Sequence, residues 1–216
     1  PTRNGARPVT VKPVTSEVSL RFLDWVARNR AFVDSASEGR IGYIWIPNTA
    51  QEGNRELFRW FYPQANKEAL ILDDRYNGGG FIPYNMIELL DREPLNYWAR
   101  RGIEPFSAPD VFHDGPKVCL INGYSSSGGD AFPYYFRKRG LGTVIGTRTW
   151  GGLIGLSGQP SFVDGGSLSI PTFRFFDTDG QWVIENAGVS PDIEVIDRPD
   201  AIAKGRDPSL EKAVEV

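Results

Sequence analysis

The nine residues Asn122-Gly123-Tyr124-Ser125-Ser126-Ser127-Gly128-Gly129-Asp130 set three consecutive hydroxyls between an apolar run and a segment of helical spacing. A hydroxyl delivered to the start of a helix meets the unpaired amides of the first turn and the positive end of the helix dipole, which favour a developing negative charge. Those are the surroundings a serine nucleophile needs. Serine and aspartate are also preferred N-caps, so the pattern alone reads equally well as an ordinary helix start. A second loop, Asn77-Gly78-Gly79-Gly80, follows the apolar run Ala69 to Asp73. Its glycines remove side-chain bulk and allow positive φ, so backbone N–H groups can close on an oxyanion, although a plain turn uses the same residues.

Both loops sit between a strand and a helix, where open parallel sheets place their ligands, and they are expected to face each other. Ahead of them, Val18, Phe22, Trp25, Val26 and Val33 recur at helical spacing from Glu17 to about Asp34, with Ser16 as the N-cap. Then come a strand around Ile41 to Ile46, a helix around Arg55 to Phe61, the strand Ala69 to Asp73 and a helix around Tyr84 to Leu90. A Pro-rich crossing, Glu104 to Pro116, leads to the strand Lys117 to Ile121, a helix near Asp130 to Lys138 and a strand at Thr143 to Ile145. This alternation predicts an α/β fold with a mostly parallel sheet covered by helices. From Gln159 to Val195, short strands separated by Asp164-Gly165-Gly166 and Asp179-Gly180 predict C-terminal β-hairpins, and a helix near Pro208 to Val214 closes the chain.

Composition removes several classes of function. Lys and Arg number 24 against 27 Asp and Glu, a net charge of −3, so no basic field draws in nucleic acid. The single cysteine, Cys119, lies in an apolar run, which excludes an internal disulfide or a thiolate metal cluster and reads as buried strand filler. No stretch reaches the roughly 18 to 20 apolar residues that cross a bilayer. With 40% hydrophobic residues in 216, one packed domain is expected over 17–216. Residues 1–16 mix Pro, Gly and basic side chains and read as a linker or the end of a preceding domain. Because the chain begins at Pro1, that end reads as cut, and the cellular compartment is not legible.

Four separated motifs stand in one order: Asp74-Arg75-Tyr76-Asn77-Gly78-Gly79-Gly80-Phe81, the Ser/Gly turn, Leu141 to Gly152, and Glu185 to Val195. Together they resemble the family of tricorn and C-terminal processing peptidases, over nearly all of the chain from about residue 17. The resemblance implies a crotonase-like/ClpP-like spiral βα core and a serine peptidase of tricorn type acting on peptides through an acyl-enzyme, with no metal or organic cofactor. It puts the nucleophile on Ser127 and the oxyanion-hole amides on Gly80 and Gly128, with Ser125 and Ser126 as near neighbours that could be confused with Ser127. The Ser-Lys dyad of the processing branch is absent, because Gly152 occupies the lysine's slot. The tricorn branch uses a Ser-His-Ser-Glu tetrad, whose glutamate falls on Glu185 and whose Ser-His pair comes from a domain upstream of a peptide-binding module. The resemblance also implies a homo-oligomer. It departs from the tricorn pattern at Gly128, where that branch has an acidic residue, so a preference for basic residues before the scissile bond does not carry over.

The chain's own bases are badly placed. His113 precedes the strand Lys117 to Ile121 while Ser127 follows it, which separates them by roughly 15 Å or more, and His113 reads as a surface-loop histidine. Lys138 lies roughly 16 Å along the helix from Ser127. The isolated chain is therefore expected to be nearly inactive, its histidine being supplied by an upstream segment. Two rival functions stand beside this one: a ligand or lipid carrier of the same fold, with its aromatic residues lining a pocket, and an acyl-CoA enzyme of crotonase type, which leaves Ser127 unexplained.

Overall fold

A computed structural model describes residues 5, 7–157 and 160–216. The first four residues and Ala6 of the expected linker, and Gln159 at the start of the expected hairpin region, lie outside the described residues.

The centre is a five-stranded parallel sheet of β1 (Ile41–Trp45), β2 (Ala69–Asp73), β5 (Lys117–Ile121), β6 (Gly142–Gly146) and β9 (Ile193–Glu194), in that spatial order. Its strands are apolar at nearly every position because both faces are covered, and the alternation of side chains divides them between two cores. Ile44, Leu70, Leu72, Cys119, Ile121 and Val144 point to one side, against α2 (Gln51–Phe61), α3 (Pro83–Leu90) and α4 (Gly128–Lys138). Tyr43, Ile71, Leu120 and Ile145 point to the other, against α1 (Val18–Ala36) and α6 (Pro208–Glu215). Cys119 is fully buried, as its apolar run predicts.

The expected helices and parallel strands are all present, with ends shifted by a few residues. Helix α1 is capped at Glu17 rather than Ser16, whose Oγ accepts the Val18 N–H at 3.3 Å. The stretch from Asn96 into the start of the Pro-rich crossing contains structure that the sequence reading leaves out. Strands β3 (Asn96–Arg100) and β4 (Ile103–Ala108) form an antiparallel hairpin with Tyr97, Trp98 and Phe106 exposed. Among the described C-terminal residues, turns close at both expected Asp-Gly sites, but the ladder is short: β7 (Ile154–Gly155) pairs with β8 (Phe173–Arg174). A one-turn helix, α5 (Pro199–Ile202), precedes α6. Among the described residues no helix is long and apolar enough to cross a membrane.

Strands β2 and β5 are neighbours, so the loops leaving their C-terminal ends, 74–82 and 122–127, emerge side by side.

Candidate active site

The two loops are locked together by their amides. Asn122 Oδ1 accepts the Tyr76 and Tyr124 N–H groups, and Asn77 O accepts the Ser126 N–H at 3.0 Å. Ser125 is buried, and its hydroxyl donates to Asp74 O at 2.8 Å, so it belongs to this lock rather than to the surface. Glycine is required at the contact. A Cβ on Gly79 would stand 2.7 Å from Ser127 Cβ, and one on Gly129 would stand 2.8 Å from Asn77 O.

Ser127 is the residue that the lock presents. It caps α4 with φ 56° and ψ −114°, a conformation costing a non-glycine residue about 1–3 kcal/mol, which the surrounding bonds must hold. Its N–H donates to Asp130 Oδ2 at 2.7 Å, and its carbonyl accepts from Asp130 and Ala131. Of the three serines only Ser127 lines a cavity of about 320 Å³, along with Gly80, Phe81, Leu153, Ile154, Leu156, Phe173 and Phe175. Arg174 is the one ionisable side chain of that lining, and its guanidinium sits over the Trp182 ring.

The amides beside Ser127 divide into used and unused. Those of Gly78, Gly79, Ser126, Ser127 and Gly129 all donate within the two loops or to Pro47. Those of Gly80 and Gly128 donate to nothing among the described residues. The two are close: Gly80 N lies 2.7 Å from where a Cβ on Gly128 would stand. Two unpaired N–H groups beside one half-buried hydroxyl that lines the cavity are placed to donate to an oxyanion.

Glu185 reaches the site indirectly. Its Oε2 accepts the Leu153 N–H at 2.8 Å, and Leu153 lines the cavity; no hydrogen bond joins Glu185 to Ser127. His113 lies at the other end of β5 and is not the surface residue its loop suggests. It is 3% exposed, with Nδ1 against Ala65 O at 3.0 Å, and burial lowers its pKa. Lys138 donates to Thr178 Oγ1. Among the described residues no group of His, Cys, Asp and Glu could hold a metal ion.

Two buried acids beside the loops stand within the motifs but have roles that the sequence reading does not assign. Asp130 is marked only by standing three residues after the helix cap, where a capping box puts an acid. Asp74 carries no such mark; its Oδ1 accepts from Asn77 while Oδ2 has no partner, and burial pushes its pKa well up. Below about pH 4 Asp74 is neutral whether the chain is folded or not, and at higher pH the unfolded chain ionises while the folded carboxyl holds its proton. Stability therefore falls as pH rises from about 4 towards the raised value. Asp74→Asn removes this loss, so in urea unfolding at pH 3 to 8 the variant should gain on the parent above about pH 4 and converge with it below.

The model of peptidase family S41 matches residues 40–195. The tricorn protease of Thermoplasma volcanium is 38% identical over 215 residues, covering 99% of this chain and 21% of its own length. The tricorn protease homolog 1 of Streptomyces coelicolor is 37% identical over 208 residues, covering 96% of this chain and 20% of its own length. The crystal structure of the tricorn protease superposes with a TM-score of 0.89 at 35% identity, over 97% of this chain and 20% of that one. The photosystem II D1 C-terminal processing protease shares the fold, with a TM-score of 0.57 at 23% identity over 82% of this chain and 46% of that one. The chain thus spans about a fifth of the length of the tricorn relatives named here. With a family model covering most of its length and the fold to match, the chain belongs to peptidase family S41.

Proposed function

We propose that this chain is the nucleophile-bearing core of a serine peptidase that hydrolyses peptide bonds through an acyl-enzyme. What carries the reading is the pair of unpaired amides, Gly80 and Gly128, on either side of Ser127 at the mouth of an apolar cavity. Ser127 Oγ attacks the scissile carbonyl carbon as its proton passes to a base, and the two amides hold the resulting oxyanion. The C–N bond then breaks, the proton leaves with the amine, and water releases the acyl group by the reverse sequence. The base is a histidine contributed, with a second serine, from another part of a longer, oligomeric protein, and Glu185 orients it. The cavity wall is apolar and its one charge is positive, so it suits an apolar side chain before the scissile bond and disfavours a basic one.

The reading is tested on the chain as it stands by giving it a free base. An alkyl fluorophosphonate forms a bond from Ser127 Oγ to phosphorus and expels fluoride, with the proton going to the base. General-base help is worth ~10²–10⁴ in rate, and imidazole in solution recovers part of it. Added imidazole should therefore speed labelling at Ser127 by about tenfold or more, as read by intact mass and peptide mapping, and Ser127→Ala should remain unlabelled. A probe ending in an ammonium group should react roughly tenfold or more slowly than its alkyl counterpart. No labelling with any base, combined with saturable uptake of fatty acid in a fluorescence titration, would replace the peptidase with a ligand carrier.

A further inference from the structure

Asp130 does more than cap its helix. A capping box asks one acidic side chain to accept one amide, that of its own N-cap. The carboxylate of Asp130, 0% exposed, accepts three: Ser127 N–H at 2.7 Å, Gly151 N–H at 2.7 Å and Gly152 N–H at 3.3 Å. The last two belong to a loop 21 and 22 residues further along the chain. The next residue of that loop, Leu153, lines the cavity and donates its N–H to Glu185. Gly151 O in turn accepts the Asn186 N–H at 2.7 Å. One buried side chain therefore joins the strained backbone of Ser127 to the loop that supplies a cavity wall and anchors the segment bearing Glu185.

We infer that Asp130 is a positioning residue for the reaction at Ser127, fixing the register between the hydroxyl, the cavity wall and the Glu185 segment. The inference rests on the peptidase reading and adds a named residue to it. Asp130→Asn is nearly isosteric, but it replaces one accepting oxygen with an NH₂ group that faces N–H donors. A misplacement of about 1 Å can cost ~10²-fold in rate.

The test is imidazole-assisted labelling by the alkyl fluorophosphonate over a range of probe concentrations, which separates the limiting rate from the apparent affinity. Asp130→Asn should lower the limiting rate by about 10²-fold and leave the apparent affinity within roughly threefold, because every side chain lining the cavity is kept and only its alignment with the hydroxyl shifts. Val144→Ala, a cavity in the core strand β6, serves as the control for stability alone and should keep the parent's limiting rate when both variants are assayed below their unfolding transitions. If Asp130→Asn does not fold, Asp130→Glu, which keeps the charge and displaces it by a methylene, should show the same loss of limiting rate. A limiting rate that falls no further than in Val144→Ala would reduce Asp130 to a helix cap and leave the peptidase reading intact. A parent chain that is inert at Ser127 with every base overturns both.

Discussion

Gly128→Ala is expected to lower the reactivity of Ser127 by about 10²–10³-fold, the loss seen when one oxyanion donor is removed. The new Cβ would stand 1.9 Å from Thr49 Oγ1, 2.5 Å from Gly80 O and 2.7 Å from Gly80 N. Contacts this short cannot persist, so one loop has to move away from the other. Thr49 cannot yield easily, because it is fully buried and its backbone is bonded on both sides, to Gly79 O and from Ile82 N. The separation therefore falls on the Gly80 and Gly128 amides, which must converge on one oxygen. Thr49 Oγ1 is buried without a partner, so Thr49→Ala removes the nearest obstacle without breaking a hydrogen bond. The double variant should regain part of the lost rate but not all of it, since the Gly80 backbone remains in the way. Imidazole-assisted labelling of the parent, the single variant and the double variant measures this directly. A Gly128→Ala chain that labels at the parent's rate would show that these amides do not act on the reacting group.

The same contacts bear on a difference from the tricorn pattern. An acidic residue after the nucleophile needs room for at least a Cβ at that position, and here the space is filled by Thr49 and Gly80. The departure legible in the sequence at Gly128 thus has a packing counterpart.

What could be read before the structure was local or periodic. The apolar strands 69–73 and 117–121, the helices behind them and the two Gly-rich loops announce themselves through alternation, spacing and turn chemistry. Their facing each other, expected from each lying between a strand and a helix, follows in the structure from β2 and β5 being neighbours. Contacts between residues far apart in sequence were not legible. Nothing near Asp130 signals Gly151, and nothing near Arg75 signals Asp197 or Asp207, 122 and 132 residues away. The β3–β4 hairpin was hidden by Pro105 within β4 and by exposed residues on both faces, which leave no period-2 apolar pattern to read. His113 was misjudged for a related reason: a polar residue in a loop looks exposed until the chain that covers it, here around Ala65, is known.

Arg75→Met is expected to destabilise the chain by about 3–5 kcal/mol, the usual cost of removing one partner from a buried ion cluster. The Arg75 side chain is 2% exposed and reaches three carboxylates. Nε and one terminal nitrogen donate to Asp73 at 2.9 and 2.7 Å, the two terminal nitrogens straddle Asp207 at 2.7 and 2.9 Å, and one also reaches Asp197 at 3.1 Å. Burial by itself would lower the guanidinium's pKa, but Asp73 and then Asp207 outweigh it and hold the charge firmly in place. The carboxylates have further duties: Asp73 accepts the Tyr43 hydroxyl at 2.7 Å, Asp207 caps α6 through Leu210 N–H, and Asp197 accepts Ser209 N–H. Removing Arg75 would leave three acids close together without their cation, and the weakest attachment, the C-terminal segment carrying α5 and α6, should release first. Urea unfolding measures the loss, and amide exchange locates it in residues 197–215 before the sheet. Asp197→Asn should cost far less, because that side chain is 23% exposed and makes the longest of these contacts. Equal losses in the two variants would mean that the cluster is screened by solvent. A large loss confined to Arg75→Met would mean that the segment closing the chain is held by a residue of the Gly80 loop, so that tail and loop are secured together.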